Sequence, residues 1–263
     1  MDGGPVARAA ALAEALADLV LPRACAGCGR PGMVLCGRCA GLLTVPHLAS
    51  PRRFPPGFPP TVAAGEYAGP VRPALIAFKE RGRAELARPL GAALALAVAG
   101  VLAGPAGPPP QEVLLVPVPS SAAALRARGR DHVRELTRRA VAELRAAGVP
   151  AAEARLLRRR GRVRDSAGLT AGERRANLSG SFVVRGSVPP VAVLVLVDDL
   201  VTSGATLTEA AGVLSAGRRP DAVPVLAAVV AATPRHVPEA PVGGAGTASR
   251  RQADRLSGPA LTD

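Results

Sequence analysis

Two adjacent carboxylates, Asp198 and Asp199, follow the apolar run Val191–Val197 and precede a loop of small residues, Thr202-Ser203-Gly204-Ala205-Thr206. The apolar run reads as a strand buried on both faces. The loop reads as a turn opening into a helix, which exposes consecutive backbone N–H groups to an anion. Gly204 lets the backbone approach that anion closely, and the hydroxyls of Thr202, Ser203 and Thr206 can donate to phosphate oxygens. The two carboxylates sit where they could accept hydrogen bonds from vicinal sugar hydroxyls. Together these features describe a ribose 5-phosphate cradle at the carboxyl end of a parallel strand. An ordinary strand–turn–helix, with Thr206 as N-cap and Glu209 completing a capping box, accounts for those two residues. It leaves the paired acids beside T-S-G unexplained. No G-K-[ST] triplet occurs, which excludes a Walker loop.

A second cluster has different chemistry. All four cysteines lie in the pattern Cys25-x2-Cys28-x7-Cys36-x2-Cys39. Each C-x-x-C pair can turn two thiolates toward one ion, and Gly27, Gly29 and Gly37 permit the tight backbone this needs. Two such pairs make a closed tetrahedral sulfur site for structural zinc. Disulfides are disfavoured in a reducing compartment. A closed site has no open position for substrate, so its expected role is folding or docking.

These residues need a scaffold, and 263 residues suffice for one or two domains. The hydrophobic fraction is 48% but only 2% is aromatic, so the core must be Val, Leu and Ala. That composition excludes disorder for most of the chain, and it disfavours nucleic-acid recognition through stacked aromatics. Lys+Arg 33 against Asp+Glu 20 gives a net charge of +13, which suits anionic partners, although solvated arginine surface accounts for much of it. Lys79 is the only lysine. No secretory signal is apparent, and Leu90–Leu102 is too short an apolar run for a bilayer, so a cytoplasmic protein without a membrane span is expected.

Residues 6–21 have helical spacing and, with the cysteines, define an N-terminal helix and zinc knuckle over 1–45. Proline-rich 46–70 reads as a linker or extended segment. Residues 71–103 read as two helices parted near KERGRAE, and 104–111 as a second linker. From 113 the order is strand (113–118), helix (121–147), an Arg- and Gly-rich stretch (155–181), strand (182–184), strand (191–197), helix (206–216) and strand (223–232). Alternating strands and helices predict an α/β fold with a parallel sheet over 71–236. Residues 237–263 read as a disordered tail.

VLVLVDDLVTSGAT resembles the PRPP-binding signature of type I phosphoribosyltransferases. With the four-cysteine knuckle before it, the chain resembles the ComF family, in which a zinc-finger segment precedes a phosphoribosyltransferase-like domain. The resemblance covers about residues 20–235 and includes AFKERGR (77–83), VPVPSS (116–121) and DSAGLTAGERRANLSGSF (165–182). It implies PRPP binding, with Asp198 and Asp199 on the ribose hydroxyls and Thr202–Thr206 on the 5-phosphate. Asp199 is expected to be the more catalytic acid. Pro119, Ser120 and Ser121, with Arg126, Arg128 and Gly129, match the pyrophosphate loop. Lys79 and Arg81 match a segment facing the site, and Arg174 and Asn177 match the hood over the acceptor. Mg²⁺ would accompany PRPP.

The chain departs from the family's R-x-R-G-[FY]-N-Q pattern at Arg130, Asp131 and His132. His132 is expected as a solvated surface histidine and Asp131 as a partner of Arg134 or Arg128. Most hood arginines, Arg158, Arg159 and Arg160 among them, are expected to be solvated. The alternative the resemblance raises is a non-catalytic accessory of DNA uptake, binding a nucleotide or single-stranded DNA alongside competence proteins. An oligomer is compatible with either reading.

Overall fold

The computed structural model describes residues 23–51, 55–104, 112–160, 180–187, 192–216, 218 and 222–234. The helix expected over 6–21, nearly all of the second linker, the hood residues Arg174 and Asn177, and the tail lie outside the described residues.

Within the described chain, helix α1 (Gly37–Gly41) follows the first cysteines. Strands β1 (His47–Leu48) and β2 (Thr61–Glu66) come next, then α2 (Val71–Glu80) and, after a short 3-10 turn, α3 (Ala87–Leu102). Strand β3 (Val113–Pro117) leads into α4 (Ala122–Arg128) and α5 (His132–Ala146), followed by β4 (Ala151–Glu153), β5 (Leu157–Arg159) and β6 (Phe182–Val184). Strand β7 (Val193–Val201), α6 (Ala205–Ser215) and β8 (Leu226–Ala232) complete the fold.

The main sheet has the order β1-β2-β8-β7-β3-β4. All its pairs are parallel except β1 with β2. The protein is therefore α/β with a mostly parallel mixed sheet. Strands β5 and β6 form a separate antiparallel pair.

Alternation along the central strand sets the layers. Val193, Val195 and Val197 face a core shared with α2, α3 and α5. Leu194 and Leu196 face a second core with α6, Leu157 of β5 and Phe182 of β6. A side-chain period of 2 produces this division. Carried forward, it sends Asp199 toward α2 and α5, and Asp198 toward β5.

Three sequence expectations change. Residues 61–66 are not linker: β2 lies within the sheet, paired in parallel with β8. Its Ala63, Ala64 and Gly65 carry little strand propensity. At Gly65 the cysteine module leaves no room for a side chain, and a Cβ there would collide with the carbonyl oxygen of Leu42. The helix expected over 121–147 is two helices, parted where Gly129 adopts a left-handed φ of 68° to end α4. Strand β7 runs past the acids to Val201, so Asp198 and Asp199 lie within it.

Ala84–Leu102 is long and apolar enough to cross a membrane by length and composition. Here Leu90, Leu94 and Val98 are fully buried, and α3 packs on β2, β8 and α5.

Candidate functional site

The sheet opens where β3 and β7 part. Their pairing ends at Pro117 and Val197, while β7 continues beside β8 alone. The chain leaves β3 toward the α5 layer and leaves β7 toward the α6 layer. This divergence is the topological switch point at which open α/β sheets bind ligands. A cavity of about 370 Å³ occupies it. Lys79, Ser120, Ser121, Arg128, His132, Arg159, Asp198, Asp199, Thr202 and Thr206 line it. Residues distant in sequence are thus gathered round one space.

Asp199 is the centre of charge. Its carboxylate is nearly fully buried and takes Lys79 Nζ at 2.8 Å on Oδ2 and 3.2 Å on Oδ1. His132 Nε2 lies 3.5 Å from Oδ2. Burial alone would raise the Asp199 pKa, but the His132 contact and the Lys79 charge outweigh it and hold the carboxyl well below its usual range. Asp198 goes the other way. Burial of its carboxyl, reinforced by the charge of Asp199, pushes its pKa well above the usual value. Two adjacent acids are thereby set apart, one firmly ionised and one reluctant to ionise.

This separation has a consequence for stability. Folding raises the Asp198 pKa, so stability falls as pH rises from the unfolded carboxylate value toward the folded one. Asp198→Asn, in ligand-free protein, is expected to lack that fall and to melt a few degrees above wild type at pH 7. Thermal melts from pH 4 to 8 check this. Parallel curves for the two proteins would contradict it.

The loop after β7 does not form the capping box of an ordinary strand–turn–helix. Helix α6 begins at Ala205, and its N-cap is Gly204, with φ of 76° and no side-chain cap. Glu209 instead accepts from the backbone N–H of Gly180 at 2.7 Å and of Ser181 at 3.2 Å, tying α6 to the start of β6. Thr202 and Thr206 line the cavity, whereas Ser203 is exposed. Gly204 is packed from outside by Phe58 and Pro51.

Of the other expected residues, Ser120 and Ser121 lie on the cavity, and Ser121 Oγ also caps α4 by accepting from Ala124 N. Arg128 reaches the cavity and pairs with Glu80. Arg81 and Arg126 are exposed and do not line it.

Two expectations are corrected. His132 is not a solvated histidine; it is buried against Asp199, because Asp131 caps α5 and so turns the first residue of that helix inward. Asp131 does engage Arg134, but through the backbone N–H. Arg159 is not merely solvated either. It lines the cavity, donates from Nε to Pro119 O at 3.0 Å and lies over the Phe182 ring at 5.1 Å. Burial lowers its pKa, and the charge of Asp198 opposes that. The period of β5 carried the signal: Leu157 and Arg159 share a face, and Leu157 is core. Arg158 and Arg160 are exposed as expected.

No family model matches the chain, and no curated protein matches it.

The cysteine cluster is the second candidate site. The four sulfurs lie within 4.8 Å of one another, and Cys28 Sγ and Cys36 Sγ are 3.6 Å apart. A tetrahedral zinc–thiolate site places its sulfurs about 3.8 Å apart. Cys36 N–H donates to Cys25 Sγ at 3.3 Å. Burial opposes thiolate formation at Cys25, yet the backbone N–H groups of Cys28, Cys36 and Gly27 outweigh it and lower its pKa to about 6. Burial and the neighbouring cysteines push Cys39 up. Four cysteine sulfurs at this spacing could hold a structural zinc.

The module is not independent of the domain. Leu43 belongs to the main core, and Ala26, Val34 and Leu35 pack against it. Arg83 Nη1 donates to Ala24 O at 2.8 Å, and a Cβ on Gly27 would come within 2.9 Å of Pro70 O at the start of α2. About one zinc per chain is expected, and Cys25→Ser should reduce it severalfold. Chelation should lower the melting temperature of the whole protein, because the module and α2 share packing. Metal analysis with melting curves checks this. Full metal in Cys25→Ser, or unchanged melting after chelation, would contradict it.

Proposed function

We propose that the chain binds PRPP, or a related ribose 5-phosphate ligand, and transfers the phosphoribosyl group to a nucleophile with release of pyrophosphate. The observation that carries this is the buried Asp199, held by Lys79 at 2.8 Å, lining with Asp198 one cavity at the sheet's switch point that Thr202 and Thr206 of the T-S-G-A-T loop also line. This arrangement fits the type I phosphoribosyltransferase fold, and the resemblance to the ComF family supports it.

In this reading Thr202, Thr206 and the loop amides hold the 5-phosphate, and the acid pair accepts the ribose hydroxyls. Ser120, Ser121, Arg128, Arg159 and Lys79 surround the pyrophosphate. The bond from C1 to the pyrophosphate oxygen breaks, and its electron pair leaves with pyrophosphate. A nucleophile's lone pair forms the new bond to C1, and its proton is lost to water. The protein acts by positioning the reactants and by compensating charge on the leaving group. Mg²⁺, carried with PRPP, would supply further neutralisation there. Structural zinc would hold the cysteine module.

The test is pyrophosphate release from PRPP with Mg²⁺ in the presence of a panel of nucleobases. Acceptor-dependent release supports the reading. No release, together with DNA binding that weakens steeply with salt, would favour the nucleic-acid accessory instead.

A further inference from the structure

His132 has an unmet need. The side chain is almost fully buried, its Nδ1 lies 3.4 Å from Arg128 Nη1, and its Nε2 has no hydrogen-bond partner among the described residues. A guanidinium can only donate, so Nδ1 is the acceptor and the imidazole proton sits on Nε2. That N–H is held 3.5 Å from Asp199 Oδ2, just beyond bonding distance. The Phe78 ring stands edge-on at 6.2 Å. Buried donors left without partners are rare and costly, and those at functional sites call for a reason.

The reason lies on the other side of Asp199. Lys79 Nζ approaches both carboxylate oxygens, and its side chain also reaches the cavity. The ammonium is thus shared between a fixed carboxylate and a space suited to a polyanion. We propose that His132 is a reserve donor to Asp199. When a phosphorylated ribose enters and its charge draws Lys79 off the carboxylate, the Nε2–H closes onto Oδ2. Asp199 then stays ionised and fixed for the ribose hydroxyls while Lys79 serves the ligand's phosphates. His132 is a positioning residue in this scheme, which rests on the phosphoribosyl reading of the cavity.

His132→Leu and His132→Gln separate this role from a structural one. Without ligand, His132→Leu is expected to melt within a few degrees of wild type, since the Nε2–H it removes makes no hydrogen bond and lends Asp199 only electrostatic support from 3.5 Å. Its affinity for ribose 5-phosphate should fall about tenfold or more, as for a lost hydrogen bond to a charged group. His132→Gln keeps a side-chain N–H donor, and its affinity should stay within about threefold of wild type. Equal binding by His132→Leu and wild type would overturn the proposal, as would a loss in His132→Gln as large as in His132→Leu. Should the leucine variant fail to fold, ¹⁵N spectra of the wild-type imidazole decide. The Nε2 proton should exchange more slowly once ribose 5-phosphate is added, and an unchanged signal in bound protein would overturn the proposal. Wild type that binds neither ribose 5-phosphate nor PRPP would overturn the phosphoribosyl reading, and this inference with it. Wild type that binds while its variants are unaffected would overturn the inference alone.

Discussion

Asp199→Asn should abolish the rise in melting temperature that PRPP with Mg²⁺ confers on the wild-type protein. An amide offers one acceptor where the carboxylate offers two, and it turns a donor toward Lys79 Nζ, now 2.8 Å from Oδ2. The ligand loses its ribose acceptor, and Lys79 loses the charge that places it. The ligand-free protein should also weaken, by about 1–3 kcal/mol, less than for a fully buried pair because Lys79 reaches solvent. The pH dependence has a definite sign. Folding lowers the Asp199 pKa, so the stability it contributes is present above the unfolded carboxylate value and is lost as pH falls toward the folded value. The asparagine variant should lack that acid-side loss. Melting curves with and without PRPP, from pH 3 to 8, check both effects. A variant that PRPP stabilises as much as wild type would remove Asp199 from the site.

Gly204→Val should abolish ribose 5-phosphate binding and destabilise the fold. Gly204 has φ of 76°, a conformation that β-branched residues scarcely adopt. Its missing Cβ also matters, because a Cβ there would lie 2.8 Å from the Phe58 ring and 3.3 Å from Pro51. Valine must therefore shift the loop away from Phe58 and misplace the amides that open α6. The expected cost is about 2–4 kcal/mol from backbone strain and overpacking together. Phe58→Ala relieves the contact but leaves the backbone angle, so the double variant should recover part of the stability and none of the binding. Calorimetric titration with ribose 5-phosphate checks this. Equal affinity in wild type and Gly204→Val would move the anion to Arg128 or Arg159.

The strand–acid–loop segment was legible because its signals are local. Five alternating Val and Leu residues, two acids and a run of small hydroxylated residues describe the end of a buried strand and an anion loop without help from the rest of the chain. Phe182–Val184 and the helices either side of KERGRAE were legible for the same reason. Strand β2 was not, because Ala63, Ala64 and Gly65 carry little strand propensity and the need for a glycine at 65 appears only where Leu42 and Leu43 pack against it. His132 and Arg159 were missed for a related reason. Each stands in an arginine-rich neighbourhood whose bulk is solvated, and only the helix cap at Asp131 and the face shared with Leu157 turn them inward. Charge patterning marks a surface well and a buried polar site poorly, since burial of a charged group depends on partners far away in sequence. Asp199 illustrates this: Lys79 lies 120 residues before it.

Calorimetric titration of PRPP with Mg²⁺ into the wild-type protein, in the presence of a nucleobase mixture, tests the central claim most directly. Saturable binding at one site per chain, lost in Asp199→Asn, is the expected result. Absence of saturable binding at millimolar PRPP, or binding that survives Asp199→Asn unchanged, would contradict it.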